Sequence, residues 1–153
     1  MLIKQAVIVC GGLGSRLGII TKKTPKPLIK VNGKTVIEHI IKNLSRFGIS
    51  EVLLLCGYKN ILFKKKFHNK SFFGIKIKCI IEKKLLGTSG ALLNAKKYLK
   101  NFFLYCNGDT FFDYNFNNIN LNKLQFEINL IITKNHNYKE NKKLTGLKLL
   151  FLI

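Results

Sequence analysis

The segment Val7-Ile8-Val9-Cys10-Gly11-Gly12-Leu13-Gly14-Ser15-Arg16 puts bare backbone, and then a fixed positive charge, at the mouth of an apolar run. Consecutive amides carrying no side chains can curve around an anion, and a guanidinium adds a planar fork of donors. Further on, Lys26 stands between Pro25 and Pro27. Their rings restrict the backbone, so the ammonium is presented at little entropic cost. Together these residues are equipment for a triphosphate. Two familiar phosphate loops fail on spacing. A G-x-G-x-x-G fingerprint begun at Gly12 meets Leu17 where its last glycine belongs, and a P-loop ending in Gly33-Lys34-Thr35 would need glycine at Leu28. A tight strand-to-helix turn would also use glycine, but it would not need Arg16 and the bracketed Lys26.

The elements that must position these groups are legible in the hydrophobic pattern. Ala6 to Cys10 is an apolar run without alternation, the mark of a strand covered on both faces. A polar, glycine-rich loop follows to about Lys34. Thr35 and Glu38 have capping-box spacing, Val36, Ile37, Ile40, Ile41 and Leu44 recur at helical spacing, and Gly48 ends the helix. Glu51 to Cys56, Ile75 to Ile81, Phe102 to Cys106 and Phe126 to Thr133 read as strands; Ile61 to His68 and Ala91 to Leu99 read as helices. Strands alternating with helices imply βαβ crossovers, hence an α/β, Rossmann-like, mostly parallel sheet with helices on both faces. Ligands of such sheets bind beyond the carboxyl ends of the strands. Gly11, Gly57, Glu82 and Asp109 all lie at those ends and should share one crevice.

At 153 residues and 47% hydrophobic, the chain suits one domain with a single core. Its net charge of +20 comes from lysines spread end to end, with Arg16 and Arg46 the only arginines. Nucleic-acid motifs do not accompany them, so the expectation is solvated lysines and salt-sensitive polyanion binding, with no specific nucleic-acid partner. Cys10, Cys56, Cys79 and Cys106 lack metal or redox spacing and read as buried, reduced thiols. With no signal peptide and no apolar run long enough to span a bilayer, the expected location is the cytoplasm, away from membranes. His39, His68 and His136 suggest no nucleophilic arrangement.

At CGGLGSRL, TPKPLIKVNGKTVIEHII, CGYK, EKKLLGTSGAL and NGDTFFD, in that order, the chain resembles the sugar-1-phosphate nucleotidyltransferases. The wording of LGTSGAL and NGDTFFD is most like the guanylyltransferases for D-glycero-α-D-manno-heptose 1-phosphate, with the mannose-1-phosphate enzymes close behind. The resemblance implies transfer of a nucleoside monophosphate from a nucleoside triphosphate, GTP favoured, to a sugar 1-phosphate, with release of pyrophosphate. It makes Arg16 and Lys26 the catalytic cations, and Val9, Gly11, Gly12, Gly14, Ser15, Glu82, Gly87 and Thr88 the nucleotide contacts. Gly57 and Tyr58 fall on the sugar side, and Asp109 becomes the ligand of Mg²⁺. Glu82 suits guanine, whose N1–H and N2–H form adjacent donors for a carboxylate that can only accept. Asp113 reads as a turn or helix-cap carboxylate. A homo-oligomer is compatible with all of this.

The resemblance runs from about Val7 to Asp113. Family members continue further and supply a lysine for the sugar phosphate and a second metal aspartate, neither of which has a match in KENKKLTGLKLLFLI. The sequence therefore reads as a truncated or frame-disrupted product, its fold incomplete at the C-terminus. Residues 1–134 would be the N-terminal part of a nucleotidyltransferase domain and 135–153 an aberrant or poorly ordered tail. Two other functions stay open: a nucleotide-binding remnant without turnover, and a basic nucleic-acid-binding module.

Overall fold

In a computed structural model of the protein, the described residues are 3–12, 23–84 and 86–111, together with the backbone of 129–133 and 148–152. Strand β1 (Gln5–Val9) is buried nearly throughout, and it pairs in parallel with β4 (Glu51–Cys56) on one side and β7 (Leu104–Asn107) on the other. Beyond β4 lies β6 (Ile75–Ile81), again parallel, and then the antiparallel edge strand β5 (Lys70–Phe72). On the far side of β7 run β9 (Lys148–Leu152) and β8 (Asn129–Thr133), giving the order β5-β6-β4-β1-β7-β9-β8. From β1 the chain builds outward through β4 and β6, then returns to place β7 on the other flank of β1. The strand order reverses between β1 and β7, and that reversal opens a crevice at their carboxyl ends.

Alternation along the central strands feeds two cores. Ala6, Ile8, Val52, Leu54 and Cys56 face helix α1 (Val36–Ser45) and helix α2 (Asn60–Phe67), which contribute Ile37, Ile40, Ile41, Leu44, Phe63 and Phe67. Val7, Leu53, Leu55 and Tyr105 face the opposite way, toward Ala91 and Ala95 of helix α3 (Gly87–Ala95). Helices thus cover both faces of a mostly parallel sheet, as the sequence implies. Each large aliphatic side chain that α1 buries contributes about 1.5–3 kcal/mol. The helix begins at the expected box: the Glu38 amide donates to Thr35 Oγ1 at 3.4 Å, and the Thr35 amide to Glu38 Oε2 at 2.7 Å. Gly48 takes the left-handed φ of 78° that suits a glycine ending a helix. At the amino end of the sheet, Gln5 is fully buried and fully bonded, donating to Glu51 and the Tyr98 carbonyl and accepting from the Lys100 amide.

The structure differs from the sequence expectation at several elements, among them the edge strand β5, which no sequence pattern announced, and β7, which starts two residues later than expected. Helix α3 starts at Gly87 rather than Ala91, because Gly90 lets its first turn sit against Leu86: a Cβ there would stand 2.7 Å from Leu86 Cβ. That helix stops at Ala95, and a tighter 3₁₀ turn (Lys96–Tyr98) completes the segment. A small hairpin, β2 (Lys30–Val31) and β3 (Lys34–Thr35), lies inside what reads as loop, turned by Asn32 and Gly33 at positive φ. Finally, the backbone of Lys148–Leu152, expected to belong to a tail outside the domain, forms β9 between β7 and β8. Residues 135–147 lie outside the described residues. All four cysteines are buried and free. Burial holds the Cys10 thiol well above its ordinary range and pushes Cys106 up to about 12, so both are protonated core side chains. Among the described residues, no helix is long and apolar enough to cross a membrane.

Candidate functional site

The crevice is built by close main-chain contacts between strand ends. The Gly108 amide donates to the Val9 carbonyl at 2.9 Å, continuing the β1–β7 ladder one residue past β7. A Cβ on Gly108 would lie 2.9 Å from both Cys10 Sγ and the Val9 oxygen, and 3.1 Å from Pro27 Cγ. Only a glycine lets three segments meet there: the end of β1, the turn after β7, and the proline-bracketed lysine. Pro27 is the buried residue of a 3₁₀ turn over Lys26–Leu28, closed by Leu28 N to Pro25 O at 2.8 Å.

That meeting point decides where the charges go. Lys26 Nζ stands 3.6 Å from Asp109 Oδ2, with side chains 27% and 43% exposed. A pair this open contributes at most about 1 kcal/mol, so either group can exchange its partner for a ligand. Thr110 also donates to Asp109 Oδ1 at 3.4 Å.

On the other flank, Glu82 is buried and follows β6, its amide bonded to the Cys56 carbonyl at 3.0 Å. Its Oε2 accepts the Leu86 amide at 3.2 Å, while Oε1 lies 3.1 Å from where a Cβ on Gly11 would stand. Glycine at 11 therefore makes room for the carboxylate. A bidentate ligand of this buried carboxylate would share Oε2 with the protein. Gly87 follows at φ 67°, and Thr88 is exposed in the first turn of α3. Burial raises the Tyr105 phenol above its usual range. Gly57 and Tyr58 complete the rim, the Tyr58 amide donating to the Gly11 carbonyl at 3.4 Å. Gly12 is open: a Cβ there would meet nothing within 4 Å.

The structure thus brings Val9, Gly11, Gly12, Lys26, Gly57, Tyr58, Glu82 and Asp109 to one edge of the sheet, with Gly87 and Thr88 beyond Glu82. Gly14, Ser15, Arg16 and Asp113 lie outside the described residues. His39 bonds the Val31 carbonyl and His68 accepts the Cys79 amide, which are structural roles. Sequence reasoning missed Lys59. It sits at φ 49° and donates from Nζ to the Lys23 carbonyl at 2.9 Å. Only its place in CGYK, one residue past Tyr58, could have drawn notice.

Asp109 offers a carboxylate, the type of oxygen donor that a hard divalent cation takes. Among the described residues no three His, Cys, Asp or Glu side chains gather as a metal cage. One carboxylate would have to act with ligand oxygens, which is how Mg²⁺ commonly sits beside phosphates.

The architecture is a doubly wound α/β sheet with glycines, a lysine and an aspartate at its strand reversal, where ligands of such sheets bind. The sequence matches the Nucleotidyl transferase family over residues 5–142, and the chain belongs to that family. It is 46% identical over 119 residues to the D-glycero-alpha-D-manno-heptose 1-phosphate guanylyltransferase of Campylobacter jejuni, covering 78% of this chain and 53% of that one. The Aneurinibacillus thermoaerophilus protein of the same name is 37% identical, at 71% and 47% coverage. The chain spans about half the length of these relatives. Among solved structures, HddC from Yersinia pseudotuberculosis complexed with GMP-PN superposes with a TM-score of 0.77 at 22% identity. The match covers 99% of this chain and 76% of HddC, and shows the shared fold.

Proposed function

We propose that this chain carries the nucleotide-handling part of an enzyme that moves a nucleoside monophosphate from GTP to a heptose- or mannose-type sugar 1-phosphate, releasing pyrophosphate. The observation that carries this reading is the Gly108 contact, which holds Lys26 and Asp109 against the glycine-bearing end of β1. The names of the two guanylyltransferase relatives support the choice of GTP and of a heptose phosphate.

In this reading the Gly11 and Gly12 backbone receives the phosphates, and Lys26 leaves Asp109 to neutralise charge gathering on them. Arg16, assigned from the sequence, adds a second cation. Asp109 would hold Mg²⁺, which when bound supplies charge neutralisation between adjacent phosphates. Glu82 Oε1 offers an acceptor to the guanine edge from a wall already fixed by Leu86 N. Gly57 and Tyr58 face the sugar. A sugar phosphate is already anionic and pyrophosphate leaves as an anion, so no protein base is needed and positioning supplies most of the catalysis. Free buried thiols favour a reducing, cytoplasmic setting.

The test is calorimetric titration with GTP, CTP, UTP and dTTP in Mg²⁺, followed by pyrophosphate release with heptose and mannose 1-phosphates. GTP binding followed by release is the expected result. Binding without release would leave a nucleotide-binding module without turnover. Salt-sensitive RNA binding with no nucleotide binding would overturn the proposal in favour of a basic nucleic-acid module.

A further inference from the structure

The turn joining β4 to α2 holds both ends of the segment that separates the glycines from Lys26. At one end the Tyr58 amide donates to the Gly11 carbonyl at 3.4 Å; at the other Lys59 Nζ donates to the Lys23 carbonyl at 2.9 Å. The turn itself is braced, since Asn60 donates to the Gly57 carbonyl from both its amide and its side chain, each at 3.2 Å. Lys59 adopts a left-handed φ of 49°, a conformation unfavourable for a residue with a side chain. Glycine would relieve it, yet glycine has no ammonium to send to Lys23.

From Lys23 to Lys26 the chain is stiff. Thr24 precedes a proline, Pro25 sits at φ −54°, and Pro27 is buried. The segment is tied on its downstream side by Ile29 N to Lys26 O at 3.1 Å and by Val36 N to Ile29 O at 3.0 Å. Fixing the Lys23 carbonyl therefore fixes the upstream approach to the Lys26 ammonium. We propose that Lys59 is a positioning residue for nucleotide binding: its bond to the Lys23 carbonyl sets the place of Lys26 at the phosphates. This rests on the nucleotide reading above and adds to it a residue that touches no ligand.

The experiment measures the Kd of GTP with Mg²⁺ for the parent, Lys59→Met, Lys59→Arg, Lys59→Gly, Lys26→Met and the Lys59→Met/Lys26→Met pair, alongside thermal unfolding. Methionine keeps the stem and the backbone strain and removes the ammonium, with its bond to Lys23 and its place 5.5 Å from the Tyr58 ring centroid; Lys59→Arg keeps the charge. Lys59→Met should weaken GTP binding about three- to tenfold, the worth of one hydrogen bond, with an unchanged melting temperature. Arginine should restore most of the loss. Lys59→Gly should melt no lower than the parent and still bind GTP weakly, which separates the fold from the site. In the Lys26→Met background, Lys59→Met should cost nothing further. Parent-like affinity in Lys59→Met, or an equal loss with and without Lys26, would overturn the proposal while leaving the nucleotide reading intact, provided the parent binds GTP and Lys26→Met weakens it. A parent that fails to bind GTP would overturn both.

Discussion

Gly108→Ala is the sharpest perturbation of the crevice. The added Cβ would stand 2.9 Å from Cys10 Sγ, 2.9 Å from the Val9 carbonyl oxygen and 3.1 Å from Pro27 Cγ. The sulfur can rotate away and the proline ring can give slightly, but the carbonyl belongs to β1 and already accepts the Gly108 amide at 2.9 Å. Relief requires β7's turn to back off the strand, which lengthens that bond. Overpacking of this kind costs about 1–3 kcal/mol. For a chain of this size each kcal/mol lowers the melting temperature by about 2–4 °C, so the variant should melt roughly 2–12 °C below the parent. Gly12→Ala is the control, because nothing lies within 4 Å of the new atom and the melting temperature should not move. Adding Cys10→Ala to Gly108→Ala removes the sulfur contact at the cost of some core packing and of the thiol's bond to the Ile8 carbonyl, so it should recover at most part of the loss. Matched urea and thermal unfolding of the four proteins is the assay. If Gly108→Ala unfolds with the parent, or if Cys10→Ala restores it fully, the main-chain contact is not what holds the crevice.

Two further outcomes follow from charges in the structure. Asp109→Asn should abolish the Mg²⁺-dependent gain in GTP affinity and, in EDTA, bind GTP more tightly than the parent. The change removes a carboxylate facing the phosphates and frees Lys26, whose ammonium stands 3.6 Å from it; equal metal-free affinities by calorimetry would refute this. Burial works to raise the Glu38 pKa, but bonds from Thr35 and Lys66 outweigh it and lower the value from 4.5 to about 2. A depressed carboxylate stabilises the fold above its unfolded value, so this contribution is intact above about pH 4.5 and fades toward pH 2. Glu38→Gln should flatten urea stability across that window, and an unchanged pH dependence would count against the Thr35 and Lys66 bonds as its source.

The sequence by itself determined the order of the central elements and the chemistry on offer. A short unalternating run such as Glu51 to Cys56, set between a helix-ending glycine and Gly57, reads as a strand buried on both faces, and the Thr35-x-x-Glu38 spacing encodes a helix start in local hydrogen bonds. Glycines at the end of β1 and a lysine between prolines announce an anion without any fold. What the sequence could not reveal were meetings between residues far apart in the chain. Gly108 looks like a turn glycine until Val9, Cys10 and Pro27 are seen around it. Gly11 owes its bareness partly to the carboxylate that follows β6, and Lys59 looks like one more solvated lysine until its ammonium is found on the Lys23 carbonyl. The apolar run at 147–153 carries no signal that it can add a strand beside β7, because edge pairing depends on backbone groups that every sequence possesses. Local periodicity is written in side chains, whereas close approach is decided by which backbones the sheet brings together.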